Sequence, residues 1–272
     1  MNLAESSDSG LNLEILSKID FDVDSTGINL VGSLFVPNST QTEFPAIVFC
    51  HGLPAQKFDP QASQDPKDDS PTYPQLAKNL AQEGFVSIIF NFRGTGFSGG
   101  NYHPLGWAND LEAILEWAWN RPEIDVDRIG VFGSSMGARV AIYVASKRPE
   151  VSALVSYAAP VSVGTWSPEE RLQRAREVGI IRDPDFPNSL EQWSQEMELL
   201  DPLESIRRVA PKPVLIAQGD ADDIVDPADA ALLYNAAKDP KDIIILPGVG
   251  HRFRSEPEAI RKSFSWIKDK LG

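Results

Sequence analysis

The chain has 272 residues with 39 acidic against 25 basic side chains, a net charge of −14. That charge repels phosphate backbones and anionic lipid, which argues against nucleic acid and membrane surfaces as partners and reads as a solubilising exterior. The length allows a single large domain with a core that needs no staple, and the lone Cys50 rules out an internal disulfide or a Cys-based zinc site.

The N-terminal stretch MNLAESSDSGLNLEIL has no basic region followed by an apolar run, so no signal peptide is expected, and no segment has the apolar length to cross a bilayer. A cytoplasmic protein is the expectation. Two β-like segments follow, LNLEILSKIDF and INLVGSLFVP, joined by a turn at Ser25 to Gly27. The apolar run FPAIVFC ends at His51-Gly52, and Cys50 reads as a small buried filler. A loop rich in Pro and Asp, LPAQKFDPQASQDPKDDSPTYP, is too polar for a core. YPQLAKNLAQEG then has helical spacing and stops at Gly84.

From there strands and helices alternate. FVSIIFNF is an apolar strand, and WANDLEAILEWAW places Trp107, Leu111, Ile114, Leu115 and Ala118 on one helical face. RIGVFG and VSALVSYAAP read as strands around the helix MGARVAIYVASK. PVLIAQG and KDIIIL are strands, PADAALLYNAAK and PEAIRKSFSWIKDKL helices. This order predicts an α/β fold with a mostly parallel sheet of about eight strands and helices on both faces. One interruption, from about 161 to 203 between core strands 6 and 7, carries SPEERLQRAREVG and SLEQWSQEMELL, with Ser167 as N-cap and Pro168 in the first turn. It reads as a small helical lid inserted in a single domain, 1–272; surface decoration is the alternative.

The stretch GSSMG follows a strand and opens a helix, the context of a nucleophile elbow, where the positions two before and two after the nucleophile must be very small. Gly133 and Gly137 flank Ser135 at that spacing, whereas Ser134 has Phe132 and Met136 there, so Ser135 is the candidate nucleophile. A serine hydroxyl needs a base within hydrogen-bond reach. Of the three histidines, His51 closes the third strand, His103 lies in NYHPLGW, and His251 follows the last strand. Functional residues of a parallel sheet gather at the carboxyl ends of its strands, which favours His251. An acid should orient that imidazole, and the loop GDADDIVDP offers Asp220, Asp222, Asp223 and Asp226. Spacing alone does not choose among them, and at least two should be turn or cap residues.

The motifs CHG, FNFRGTGFSGG, GSSMG and GDADDIVDP…GVGH span about 44 to 253. Together they resemble the α/β-hydrolases, in the branch of serine-aminopeptidase-like and dienelactone-hydrolase-like esterases, and the order Ser, Asp, His is that superfamily's own. The resemblance implies Asp222 as the acid, three residues after Gly219. Asp226 stands where a proline is usual, which keeps Asp223 as the runner-up. Oxyanion donors are expected at the backbone N–H of Met136, the residue after the nucleophile, and, by the resemblance, at that of Leu53. His51 then organises its loop, and Arg93 ties down the turn after the fourth strand.

The expected chemistry is hydrolysis of a small-molecule carboxylic ester through an acyl-enzyme, carboxylesterase-like, with neither metal nor cofactor implied. A serine nucleophile argues against the dehalogenase branch. Trp166 and Trp193, with Met197, are candidate walls of an apolar acyl pocket, packing of the lid onto the core being the alternative for each. An aminopeptidase or acyl-peptide hydrolase would need a lid carboxylate for the substrate amine, with Glu169, Glu170 and Glu196 available. A thioesterase fits the same residues, and a non-catalytic binding protein is the reading from another class. Oligomeric state is left open.

Overall fold

The computed structural model describes residues 16–60, 71–162, 164 and 166–272. The stretch read for a signal peptide, the start of the first β-like segment and the middle of the Pro/Asp-rich loop lie outside the described residues. Eight strands form one sheet in the order β1-β2-β4-β3-β5-β6-β7-β8. They are β1 (Leu16–Ser25), β2 (Ile28–Pro37), β3 (Phe44–Cys50), β4 (Val86–Phe90), β5 (Ile124–Ser134), β6 (Val151–Tyr157), β7 (Val214–Gly219) and β8 (Lys241–Leu246). β1 pairs antiparallel with β2 and β2 with β4; every pairing from β4 to β8 is parallel.

The patterning explains this division. β1 alternates, burying Phe21 and Val23 while their neighbours stay exposed, as an outer antiparallel strand with one wet face should. β3 is buried at every position, and its period-2 geometry sends Ala46, Val48 and Cys50 to one core and Ile47 and Phe49 to the other. The first core is closed by α2 (Pro104–Trp119), α3 (Met136–Ala145) and α7 (Ala228–Ala236). The second is closed by α1 (Tyr73–Gln82) and α8 (Pro257–Leu271).

Local chemistry sets the helix ends. Thr72 and Gln75 form a reciprocal capping box at α1, and Gly84 leaves it at φ +94°, a conformation that costs glycine nothing. α2 begins one turn earlier than its apolar spacing suggests, because His103 caps Gly106 N–H and Pro104 supplies the first turn.

Between β6 and β7 lie α4 (Pro168–Glu177), α5 (Leu190–Leu199) and a short α6 (Pro202–Ile206). Ser167 caps α4 in a second capping box with Glu170, and Asp201 caps α6. This segment is fastened by Arg139 of α3. That guanidinium, 4% exposed, donates to the carbonyls of Pro160, Val161, Met197 and Leu200 with no carboxylate bonded to it, and burial lowers its pKa. No helix of the described residues is long and apolar enough to cross a membrane.

Arg93 is the second buried cation. Its side chain meets Asp110 at 2.7 Å, its own N–H reaches the other carboxylate oxygen at 2.8 Å, and it also bonds His103 Nε2 and the Ser25–Thr26 turn. With Trp107 Nε1–H donated to the Arg93 carbonyl, this network fixes the loop after β4, as expected of Arg93. Removing one partner of such a pair strands a buried charge. Asp110→Ala should therefore lower unfolding free energy by about 3–5 kcal/mol in urea titrations; a loss under about 1 kcal/mol, the scale of an exposed pair, would contradict this role.

Candidate active site

β5 runs straight into α3 through a single residue, Ser135, whose backbone sits at φ +54°, ψ −126°. A non-glycine residue rarely holds a positive φ, and such strain costs of order 1–3 kcal/mol unless the surroundings impose it. Here they do. Ser135 N–H donates to the Tyr157 carbonyl of β6 at 2.8 Å, and its own carbonyl accepts from Ala138 N–H at 2.9 Å. A Cβ at Gly137 would run into the carbonyl oxygens of Cys50 and His51, and one at Gly133 into Ala138 Cα. The two glycines let β3, β5 and α3 close around the turn. The Ser135 hydroxyl is thereby aimed out of the carboxyl edge of the sheet.

His251 arrives on the loop after β8 with Nε2 3.0 Å from Ser135 Oγ. Its Nδ1 lies 2.8 Å from Asp222 Oδ2. The Asp222 side chain is fully buried and surrounded by donors. Gln218 Nε2 donates to Oδ2 at 2.8 Å, and the N–H groups of Ile224 and Val225 donate to Oδ1 at 2.9 Å each. A carboxylate accepting this many bonds is held in one orientation, places the proton on Nδ1 and leaves the Nε2 lone pair facing the serine.

The other acids of that loop do different work. Asp220 accepts from Gly248 N–H and Asp226 from Ala228 N–H, turn and cap roles, while Asp223 is exposed. Asp222 is thus the acid brought to the imidazole. The loops after β7 and β8 are stitched by Ala221 N–H on the Val249 carbonyl, beside Gly219, where a Cβ would meet that same carbonyl.

Gly52 backs onto the serine: a Cβ there would lie 2.9 Å from Ser135 Cβ and 3.4 Å from its Oγ. The peptide leading into Leu53 therefore borders the hydroxyl. Met136 opens α3, and the first N–H groups of a helix have no partner within it. His51 accepts from Phe92 N–H through Nε2 and holds the Gly52 carbonyl through Nδ1 at 2.7 Å. Packed against Phe92 and Trp107, the ring has its pKa lowered by desolvation and is neutral. It ties together the loops after β3 and β4. His103 is likewise structural, capping α2 and meeting Glu196 of α5 at 2.8 Å.

The two tryptophans separate. Trp166 is 52% exposed; Trp193 is 5% exposed, with its indole N–H on the Tyr102 carbonyl at 3.1 Å. That contact joins α5 to the loop before α2. Two supporting residues were not foreseen, Gln218 and Arg139. Each had a signal in the sequence, a polar side chain inside the apolar runs PVLIAQG and MGARVAIYVAS. Among the described residues no group of three or more His, Cys, Asp or Glu side chains is placed to hold a metal.

Residues 71–272 match the family model described as the prolyl oligopeptidase family. An uncharacterized protein of Mycobacterium tuberculosis (strain ATCC 25618 / H37Rv) is 31% identical over 232 residues, covering 85% of this chain and 70% of that protein. Among solved structures, DcsB in complex with its substrate analogue superposes with a TM-score of 0.72 at 20% identity, over 94% of this chain and 99% of that one. An acetyl xylan esterase from Paenibacillus sp. R4 gives a TM-score of 0.70 at 18% identity, over 99% and 88%.

The closeness of Gly137 to two backbone carbonyls, which no side-chain rotation relieves, sets a prediction. Gly137→Ala should destabilise the protein by about 1–3 kcal/mol through overpacking, read as a lower urea midpoint; wild-type stability would show that the turn has room to spare.

Proposed function

The chain belongs to the prolyl oligopeptidase family of α/β-hydrolases, and on that footing we propose that it is a serine hydrolase cleaving carboxylic esters of small molecules. The observation that carries this reading is the unbroken relay Asp222–His251–Ser135, at 2.8 and 3.0 Å.

In the proposed cycle, Ser135 Oγ attacks the ester carbonyl carbon while His251 Nε2 takes its proton. The negative charge developing on the carbonyl oxygen is met by the N–H groups of Met136 and Leu53, and the positive end of α3 adds to their field. His251 returns the proton to the departing alcohol, leaving an acyl-serine. The same imidazole then deprotonates a water molecule that attacks this acyl group, and the acid is released. Asp222, held in place by Gln218 and the N–H groups of Ile224 and Val225, keeps the imidazole oriented and stabilises the transient imidazolium.

The ester reading is supported by two exposed apolar side chains on the loops that carry the relay. Leu53, next to Gly52, and Ile224, two residues beyond Asp222, are 47% and 69% exposed and suit an apolar substrate. The family name makes a peptidase the second reading, which needs a carboxylate for the substrate amine. Glu170 is engaged at its own helix start, accepting from Ser167 N–H at 2.7 Å. Glu196 accepts from Leu105 N–H at 3.0 Å and faces His103. Glu169 is exposed in the first turn of α4. The segment carrying them acts, in this reading, as a lid over the serine.

Ser135→Ala should cut ester turnover by about 10⁴- to 10⁶-fold, measured on p-nitrophenyl esters; a loss under about tenfold would remove the serine from its role. Asp222→Asn should cost about 10⁴-fold in the same assay, with Asp223→Asn near wild type; the reverse ranking would name the wrong acid. A panel of short and long p-nitrophenyl esters, thioesters and aminoacyl arylamides decides the class. Esters are expected to be fastest, and faster arylamide cleavage would establish the peptidase reading instead.

A further inference from the structure

A cavity of about 510 Å³ is lined by none of the groups used above. Its walls come from the loop after β3, from the loop after β4 and from the segment that follows α4. Among the residues lining it are Lys57, Phe58, Arg176, Gly179, Arg182 and Asp183. In the sheet β3 lies between β4 and β5, so the loops that follow β3 and β4 and supply Lys57, Phe58 and Gly96 come from neighbouring strands. The loop that leads into it is the one that carries Leu53.

The charge of this cavity is unlike that of the rest of the molecule. Three cations meet one lining carboxylate, Asp183, in a chain of net charge −14. Among the described residues none of the three cations has a carboxylate within ion-pair distance. Arg182 spends its donors on the carbonyls of Gly94, Gly96, Ser98 and Gly179, and Arg176 on those of Pro184 and Phe186. Carbonyl dipoles fix the direction of a guanidinium without cancelling its charge. Lys57 is placed differently: its stem lies over Gly179, where a Cβ would stand 3.2 Å from Lys57 Cγ, and among the described residues its ammonium group has no hydrogen-bond partner. One wall is apolar, Phe58 meeting Phe97 edge-on at 4.9 Å with both rings substantially exposed.

We propose that this cavity binds the carboxylate or phosphate group of a substrate whose apolar body rests on Phe58, with Lys57 as the cation that contacts the anion. The volume is in the range of small-molecule sites, about 300–1,000 Å³. Two oriented guanidinium groups and the Lys57 ammonium focus positive potential in a concave wall, where an anion is held more strongly than on an open surface. The assignment rests on the ester-hydrolase reading only in placing the anion on a substrate of Ser135; the binding itself does not need that reading.

Calorimetric titration tests it on the intact protein, with phenyl phosphate and 4-phenylbutyrate as probes and benzyl alcohol as the neutral control. At least one anion is expected to bind saturably and to weaken as salt rises, with the alcohol binding far more weakly. Lys57→Glu should raise that Kd by about tenfold or more, Lys57→Arg should keep it near wild type, and Lys238→Glu, a lysine remote in sequence from the cavity, should leave it unchanged. No saturable binding of either anion, or binding that Lys57→Glu does not alter, overturns the proposal. Running the titration on the Ser135→Ala protein separates the two readings. Anion binding there supports the cavity whatever happens to turnover, and its absence there, while the wild-type protein hydrolyses esters, overturns the cavity alone.

Discussion

The backbone of Ser135, held at a positive φ between a strand and a helix, is the constraint on which the other features depend. Such a conformation persists only where neighbours over-determine it. Here the neighbours are specific: the Tyr157 carbonyl above, the Ala138 N–H below, and two glycines that let β3 and α3 approach within backbone contact. The same closeness brings the Gly52–Leu53 peptide to the hydroxyl and points the start of α3 at it. Position of the alcohol and position of these backbone groups thus follow from one packing event.

The remaining groups are delivered by the topology. In the parallel part of the sheet all strands end on one edge, so residues far apart in sequence converge there. β3 brings His51 to Leu53, β5 brings Ser135, β7 brings Asp222 and β8 brings His251. Each loop is then locked by polar contacts of its own: His51 to the loop after β4, Arg93 to Asp110, Gln218 and two backbone donors to Asp222, Ala221 to Val249. Arg139 extends this order outward. Sitting four residues after the serine, it ties the segment between β6 and β7 to α3 by four backbone carbonyls. A charge buried this way resists displacement, because leaving those carbonyls would strand it.

Much of this could be read from the residues alone, for a physical reason. Strands buried on both faces are continuous apolar runs, and helices lying on them show a single apolar stripe, so β3, β4, β6, β7 and most helices announced themselves. The glycine spacing around Ser135 reflected a steric need that only one of the two serines met. The choice among four aspartates was different in kind. It depends on which carboxylate is buried against an imidazole from another loop, a contact between positions 222 and 251 that no local pattern encodes. Trp193 shows the same limit: an aromatic in this helix reads equally as pocket wall or packing, and its burial and the bond from its indole to the Tyr102 carbonyl depend on a partner 91 residues away. The cationic cavity escaped notice because its members come from separate segments, 57, 176 and 182, with an overall composition that is strongly acidic.

The most direct test of the central claim is covalent. A fluorophosphonate probe reacts with a serine only when a neighbouring base has drawn off its proton and donors stabilise the oxyanion-like adduct. Incubation at pH 8 followed by mass spectrometry of the digested protein should show a single adduct on the peptide containing Ser135, and none when His251 is replaced by alanine. An unmodified protein, or an adduct at another serine, would contradict the account.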